Sequence, residues 1–140
     1  MVALSTPIRP RPLHPLHAIC LGAAFPLFAG ALASDFAYRA TYEVQWANFS
    51  SWLIAGGLLV SAGAVLWAFI NLFRRRPGGT DRRGLYFALL LVMWVLGFLN
   101  ALVHAKDAWA TMPEGLYLSA VTTALALAAA WIGHAAGRME

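Results

Sequence analysis

The chain has 140 residues, of which 61% are hydrophobic and 11% charged, and its mean hydropathy is +0.66. A soluble domain carries about 25% charged residues, so this composition excludes a water-soluble globular fold, and the length allows one domain. The excess of ten Lys and Arg over six Asp and Glu marks, in so apolar a chain, the cytoplasmic side of a membrane rather than a nucleic-acid-binding face.

Four stretches contain no Asp, Glu, Lys or Arg: Pro12 to Ser34, Val44 to Phe73, Gly84 to Ala105 and Gly115 to Gly137, of 23, 30, 22 and 23 residues. Each holds the roughly 20 apolar residues that a helix needs to cross a bilayer, and the expected spans are 16–36, 49–73, 84–105 and 115–136. The first opens on His14-Pro15, proline being tolerated in a first turn, and carries Cys20, the sole cysteine, so no intramolecular disulfide forms. Ala31-Leu32-Ala33 before Ser34 also fits a signal-peptide cleavage site, but the apolar run is longer than a signal's and contains Pro26, which favours an uncleaved helix. Asn48 is placed to cap the second helix and Asp81 the third, after the breaker Pro77-Gly78-Gly79. Thr111-Met112-Pro113-Glu114 reads as a capping box for the fourth. Gly57 with Ser61, and Ala120 with Ala124 and Ala128, form small-residue rows suited to close helix approach. Short loops make sequential helices run in opposite directions, so the expected fold is all-α: a single transmembrane domain over residues 1–140, an integral membrane four-helix up-down-up-down bundle.

Arg9, Arg11, Arg74, Arg75, Arg76, Arg82, Arg83 and Arg138 fall on one side of these spans, and Arg39 and Lys106 on the other. This asymmetry places both termini in the cytoplasm. Tyr38, Tyr42, Trp46, Phe49, Trp52, Trp109 and Tyr117 then gather at the outer interface, and Trp67, Phe73, Tyr86 and Trp131 at the inner one, as interfacial aromatics do.

Ionisable groups in or near spans are the first functional candidates. His14, His17 and His134 fall at one depth near the inner surface, where facing histidines would ligate a haem b or hold a quinone head group; the plainer reading is a set of interfacial rings. On the outer side Asn100, His104 and Asp107 recur along one helical face, and Asp35 and Arg39 are an i, i+4 pair. These five residues form either an outer polar pocket in which His104 transfers protons, oriented by Asp107 or Asn100, or a solvated set of helix ends. Asn100 lies within the third span, where an amide bonds to another helix. No phosphate loop, catalytic triad or zinc motif occurs, so soluble-enzyme chemistry has no carrier here, and the expectation leans away from an enzyme.

His14-Pro15-Leu16-His17, Phe25-Pro26, Ser34-Asp35, Trp52 to Gly57 and Asn100 to Trp109 resemble the domain of unknown function 2231 family of small bacterial inner-membrane proteins, over nearly the whole chain. Two departures are Ala18, where the family has a second His-Pro, and Ala24, where a histidine often precedes Phe-Pro. No haem or metal role resting on that extra histidine therefore carries over. The resemblance implies, by association, a membrane partner for an electron-transfer enzyme. Three functions follow in order of expectation. The first is a redox subunit or anchor in the inner membrane that docks a periplasmic dehydrogenase or cytochrome and holds haem b or quinone at His14, His17 and His134. The second is a cofactor-free structural protein whose outer loops, with Trp46 and Trp109, bind the partner. The third and weakest is a transporter, which only a homo-oligomer would have room to form.

Overall fold

A computed structural model of the protein describes residues 14–73 and 82–139. Five helices follow in order: α1 (Pro15–Thr41), α2 (Val44–Phe73), α3 (Arg82–His104), a single turn α4 (Ala108–Thr111) and α5 (Glu114–Met139). There is no strand among the described residues. The four long helices are each long and apolar enough to cross a membrane. Arg9, Arg11, Arg74, Arg75, Arg76 and Asp81 lie outside the described residues.

The long helices close into a ring in chain order, α1 packing on α2 and α5, and α3 on α2 and α5. One stripe of each helix faces the middle: His17, Leu21, Ala24, Phe28, Ala31, Asp35 and Tyr38 on α1; Ala47, Ser50, Ile54, Gly57, Ser61, Ala64 and Ala68 on α2; Leu90, Met93, Gly97, Asn100 and His104 on α3. On α5 the buried stripe is Leu116, Ser119, Thr122, Ala126, Ala129 and Gly133. Steps of three and four make up every stripe and alternate strictly on α1, α2 and α3, the 3.5-residue repeat of left-handed helix bundles. Many of the large apolar residues, among them Leu59, Leu85 and Leu127, point outward. A membrane helix gains nothing by hiding leucine from lipid tails, so small and polar residues take the seam where backbones approach.

Four expected local features differ. α1 continues to Thr41 and ends on Tyr42, which takes a left-handed conformation (φ 57°) with its N–H on the Tyr38 carbonyl at 2.7 Å. α2 starts at Val44, so Asn48 lies within the helix rather than capping it. Thr111 is buried as the last residue of α4, and its hydroxyl donates to the Asp107 carbonyl at 3.3 Å, so the capping box does not form. On α5, Ala120 and Ala124 are exposed, and the close-packed row is the one through Ser119 and Ala126.

Candidate functional site

Two buried polar clusters lie at opposite ends of the ring. The first is built around Asp35, which is 0% exposed. Its stripe on α1 turns the carboxylate inward, where Oδ1 meets His104 Nε2 of α3 at 2.9 Å and Oδ2 accepts from the Ser119 hydroxyl of α5. Ser119 in turn accepts from Asn100 Nδ2 at 2.8 Å. Ser50 of α2 donates to the Ala31 carbonyl at 3.2 Å and stands 3.3 Å from His104 Nε2. Every long helix thus contributes a side chain to one network. Gly115 admits His104 to it, since a Cβ there would lie 2.8 Å from the ring's Cε1.

The protons of the pair follow from its partners. His104 Nδ1 lies 3.0 Å from the Asn100 carbonyl and Nε2 2.9 Å from a carboxylate oxygen, both acceptors, and two acceptors do not approach each other at hydrogen-bond distance. Nδ1 therefore carries one proton, and a second lies between Nε2 and Oδ1. Either distribution of that second proton leaves the pair net neutral, the condition under which ionisable groups are tolerated inside a bundle.

Asp35, Asn100 and His104 of the expected polar set are brought together, but Arg39 and Asp107 are not: both are exposed. The expected Asp35–Arg39 pairing is replaced by Asp35–His104, and of the two residues expected to orient the imidazole Asn100 does so, through its backbone carbonyl on Nδ1, while Asp35 takes the place of Asp107 at Nε2. The stripe through Phe28, Ala31 and Tyr38 turns Asp35 inward, whereas Arg39 lies on another side of α1. Ser50 and Ser119 were not singled out in the sequence. Their signal was position on the same three-and-four stripes. Ser119→Ala is expected to cost about 2 kcal/mol, because it unpairs a carboxylate oxygen and an amide N–H together, against less than about 1 kcal/mol for Ser50→Ala. Unfolding of the detergent-solubilised variants measures the difference.

Next to this network a cleft of about 460 Å³ opens between the start of α2 and the α3–α5 connection, lined among others by Gln45, Asn48, His104, Lys106, Asp107 and Thr111. Tyr42 stacks on Trp109 at 5.8 Å, joining the two loops at this end. Trp109 is 78% and Trp46 41% exposed.

At the opposite end His17 is buried at 5% exposure, its Nε2 3.4 Å from the Tyr86 hydroxyl, which also reaches the Ala129 carbonyl at 3.5 Å. His14 is exposed and packs its ring 4.3 Å from Trp67. His134 is close enough to act on His17 electrostatically, but it is exposed and its Nδ1 donates to the Ala130 carbonyl at 2.7 Å. The three histidines share one end, as their depth implied. They differ in setting: His17 is buried with Nε2 toward Tyr86, whereas His14 and His134 are exposed, one packed on Trp67 and the other bonded to its own helix. No group of three or more His, Cys, Asp or Glu among the described residues could hold a metal ion.

Four apolar helices of spanning length, closed around a buried polar network, define a multi-pass membrane protein. The family model described as a predicted membrane protein (DUF2231) matches residues 13–138, and the chain belongs to that family. No curated protein and no solved structure matches it.

Proposed function

We propose that the chain is an anchor subunit of the bacterial inner membrane, crossing it up, down, up and down with both termini cytoplasmic, and that it holds a partner of a periplasmic redox system at its outer face. The orientation rests on the eight basic residues against two, which put the Asp35 end outside. The observation that carries the reading is the network of Asp35, His104, Ser119, Asn100 and Ser50, in which four helices are tied together beside the cleft and the Tyr42–Trp109 rim. A surface held rigid by its support loses little freedom on binding, and exposed tryptophans are the residue type that anchors protein interfaces. The electron-transfer character of the partner is an extension from the family resemblance.

The test is photo-crosslinking in the native membrane, with a benzophenone side chain at Trp46, at Trp109 and, as a lipid-facing control, at Leu99. A protein adduct formed from the first two positions and not the third, whose captured protein carries a haem, flavin or quinone cofactor, is the expected result. Identical lipid-only profiles from all three positions would sink the anchor reading, and a captured partner without a redox group would remove its redox part.

A further inference from the structure

The polar cluster at the His17 end contains an unmet demand. His17 Nδ1 is buried and has no hydrogen-bond partner among the described residues, and the rest of the imidazole is committed: Nε2 faces Tyr86 at 3.4 Å, and the ring stacks on Trp67 with centroids 6.4 Å apart. An unsatisfied ring nitrogen in a low-dielectric interior is costly, and such orphans mark places where something else binds. The partner must serve both forms of the imidazole. When Tyr86 donates to the Ala129 carbonyl, Nε2–H donates to Tyr86 and Nδ1 is left an acceptor; when Tyr86 donates to Nε2, Nδ1 carries the proton and donates.

A second, independent feature begins at the same level. Between α2 and α3 runs an apolar groove of about 290 Å³, lined by Ala62, Val65, Leu66 and Phe69 on one side and by Phe87, Leu91 and Trp94 on the other. Leu66 and Phe87 adjoin Trp67 and Tyr86 in the chain, so the groove starts at the depth of the His17 cluster. It continues for seven residues of helix, roughly 10 Å, toward the Asp35 end. There the Trp94 indole N–H on the Leu58 carbonyl at 3.1 Å ties the two helices across its end. Along its length of roughly 10 Å the groove takes about two extended isoprenoid units, on the order of ten carbons.

We propose that the His17 end is a binding site for an isoprenoid quinone, its planar head group hydrogen-bonded to His17 Nδ1 beside Trp67 and the first ten or so carbons of its tail in the α2–α3 groove. The carbonyl of a quinone accepts from Nδ1–H and the hydroxyl of the quinol donates to Nδ1, so one imidazole serves both redox forms through the two settings of Tyr86. A headless acyl chain would fill the groove and leave Nδ1 unpaired, and a water-soluble head group would leave the groove empty. The site is independent of the anchor reading, which concerns the other end of the bundle.

The test uses the full chain in detergent with decyl-ubiquinone and with a photoreactive azido-quinone of the same tail length. Saturable tryptophan quenching by decyl-ubiquinone and crosslinks on peptides containing His17, Trp67 or Tyr86 are expected, with affinity falling at least tenfold in His17→Phe and in Ala62→Phe, which fills the groove from its lipid side and leaves the polar cluster intact. Ser50→Ala, at the opposite end, should bind as the parent does. Binding unchanged by both Phe variants, competition by a decyl chain without a quinone head as effective as by the quinone, crosslinks confined to the Asp35 end, or no saturable binding would each overturn the proposal. A Soret band in the purified protein that is lost in His17→Phe would overturn it in favour of haem.

Discussion

Asp35→Leu is expected to lower the stability of the protein by about 3–5 kcal/mol, the cost of removing one member of a buried pair and leaving the other without its counter-group. His104→Leu should cost a similar amount. The double variant Asp35→Leu/His104→Leu should cost clearly less than the two singles together, by about 2 kcal/mol or more, because it removes the stranded charge along with the interaction. Hydrogen bonds between neutral groups in membrane bundles average about 0.6 kcal/mol. An effect of the predicted size is therefore a property of the paired ionisable groups and not of the surrounding hydroxyls. Exposed Arg39 and Asp107 provide the contrast, with Arg39→Leu and Asp107→Leu each expected within about 0.5 kcal/mol of the parent. Reversible unfolding in mixed micelles with increasing dodecyl sulfate measures all five variants. Additive effects at Asp35 and His104 would show that the two do not act as a pair.

The four apolar helices were legible because a charge within a span is expensive, and the uncharged windows register that cost directly. The packing faces were harder to read. In a soluble helix the core stripe is the apolar one, whereas here lipid-facing positions are as apolar as the interior, and what distinguishes the seam is small size and polarity. Ser50, Gly57, Ser61 and Ala64 on α2 follow that rule at three-and-four spacing, and so do Ser119, Thr122 and Ala126 on α5. The row of Ala120, Ala124 and Ala128 obeys the small-residue rule in size but lies on another face, since size alone does not fix the side of a helix on which a neighbour sits. Asp35 reads as a helix-end residue in the sequence because the uncharged window stops at Ser34. α1 in fact runs six residues further, and Asp35 continues the stripe of Leu21, Ala24, Phe28 and Ala31. Its partner His104 is 69 residues away in the chain, and one sequence alone supplies no measure of which polar groups on different spans will meet.

Between the two polar clusters lies an apolar layer, and its central residue carries the second large effect. His17 and Asp35 are separated by 18 residues of one helix, roughly 27 Å, and the space between is filled by Leu21, Phe28, Ile54, Leu90 and Met93. The buried polar side chains of this layer are the hydroxyls of Ser61 and Thr122, with no buried ionisable group among the described residues between the two histidine clusters. Phe28 is 1% exposed and is admitted by two glycines: a Cβ on Gly57 would lie 2.9 Å from the ring's Cε1 and Cζ, and one on Gly97 3.4 Å from the same atoms. Replacing a glycine within a helix by alanine ordinarily gains about 1 kcal/mol. Here the added carbon collides with a ring that has no free side to move toward, and overpacking of this kind costs about 1–3 kcal/mol, so Gly57→Ala should destabilise despite its better helix propensity, and Gly57→Leu should do so more strongly. Phe28→Ala should cost about 3 kcal/mol or more through the cavity it leaves among four helices. Lipid does not enter a closed seam, so the loss is one of packing rather than of transfer from water. The combination Phe28→Ala/Gly57→Leu puts the new side chain into the vacated space and should recover at least about 1 kcal/mol relative to the sum of the singles. The same micelle unfolding series measures this cycle, and a Gly57→Ala variant more stable than the parent would show that the Phe28 ring is not held between α2 and α3 as described.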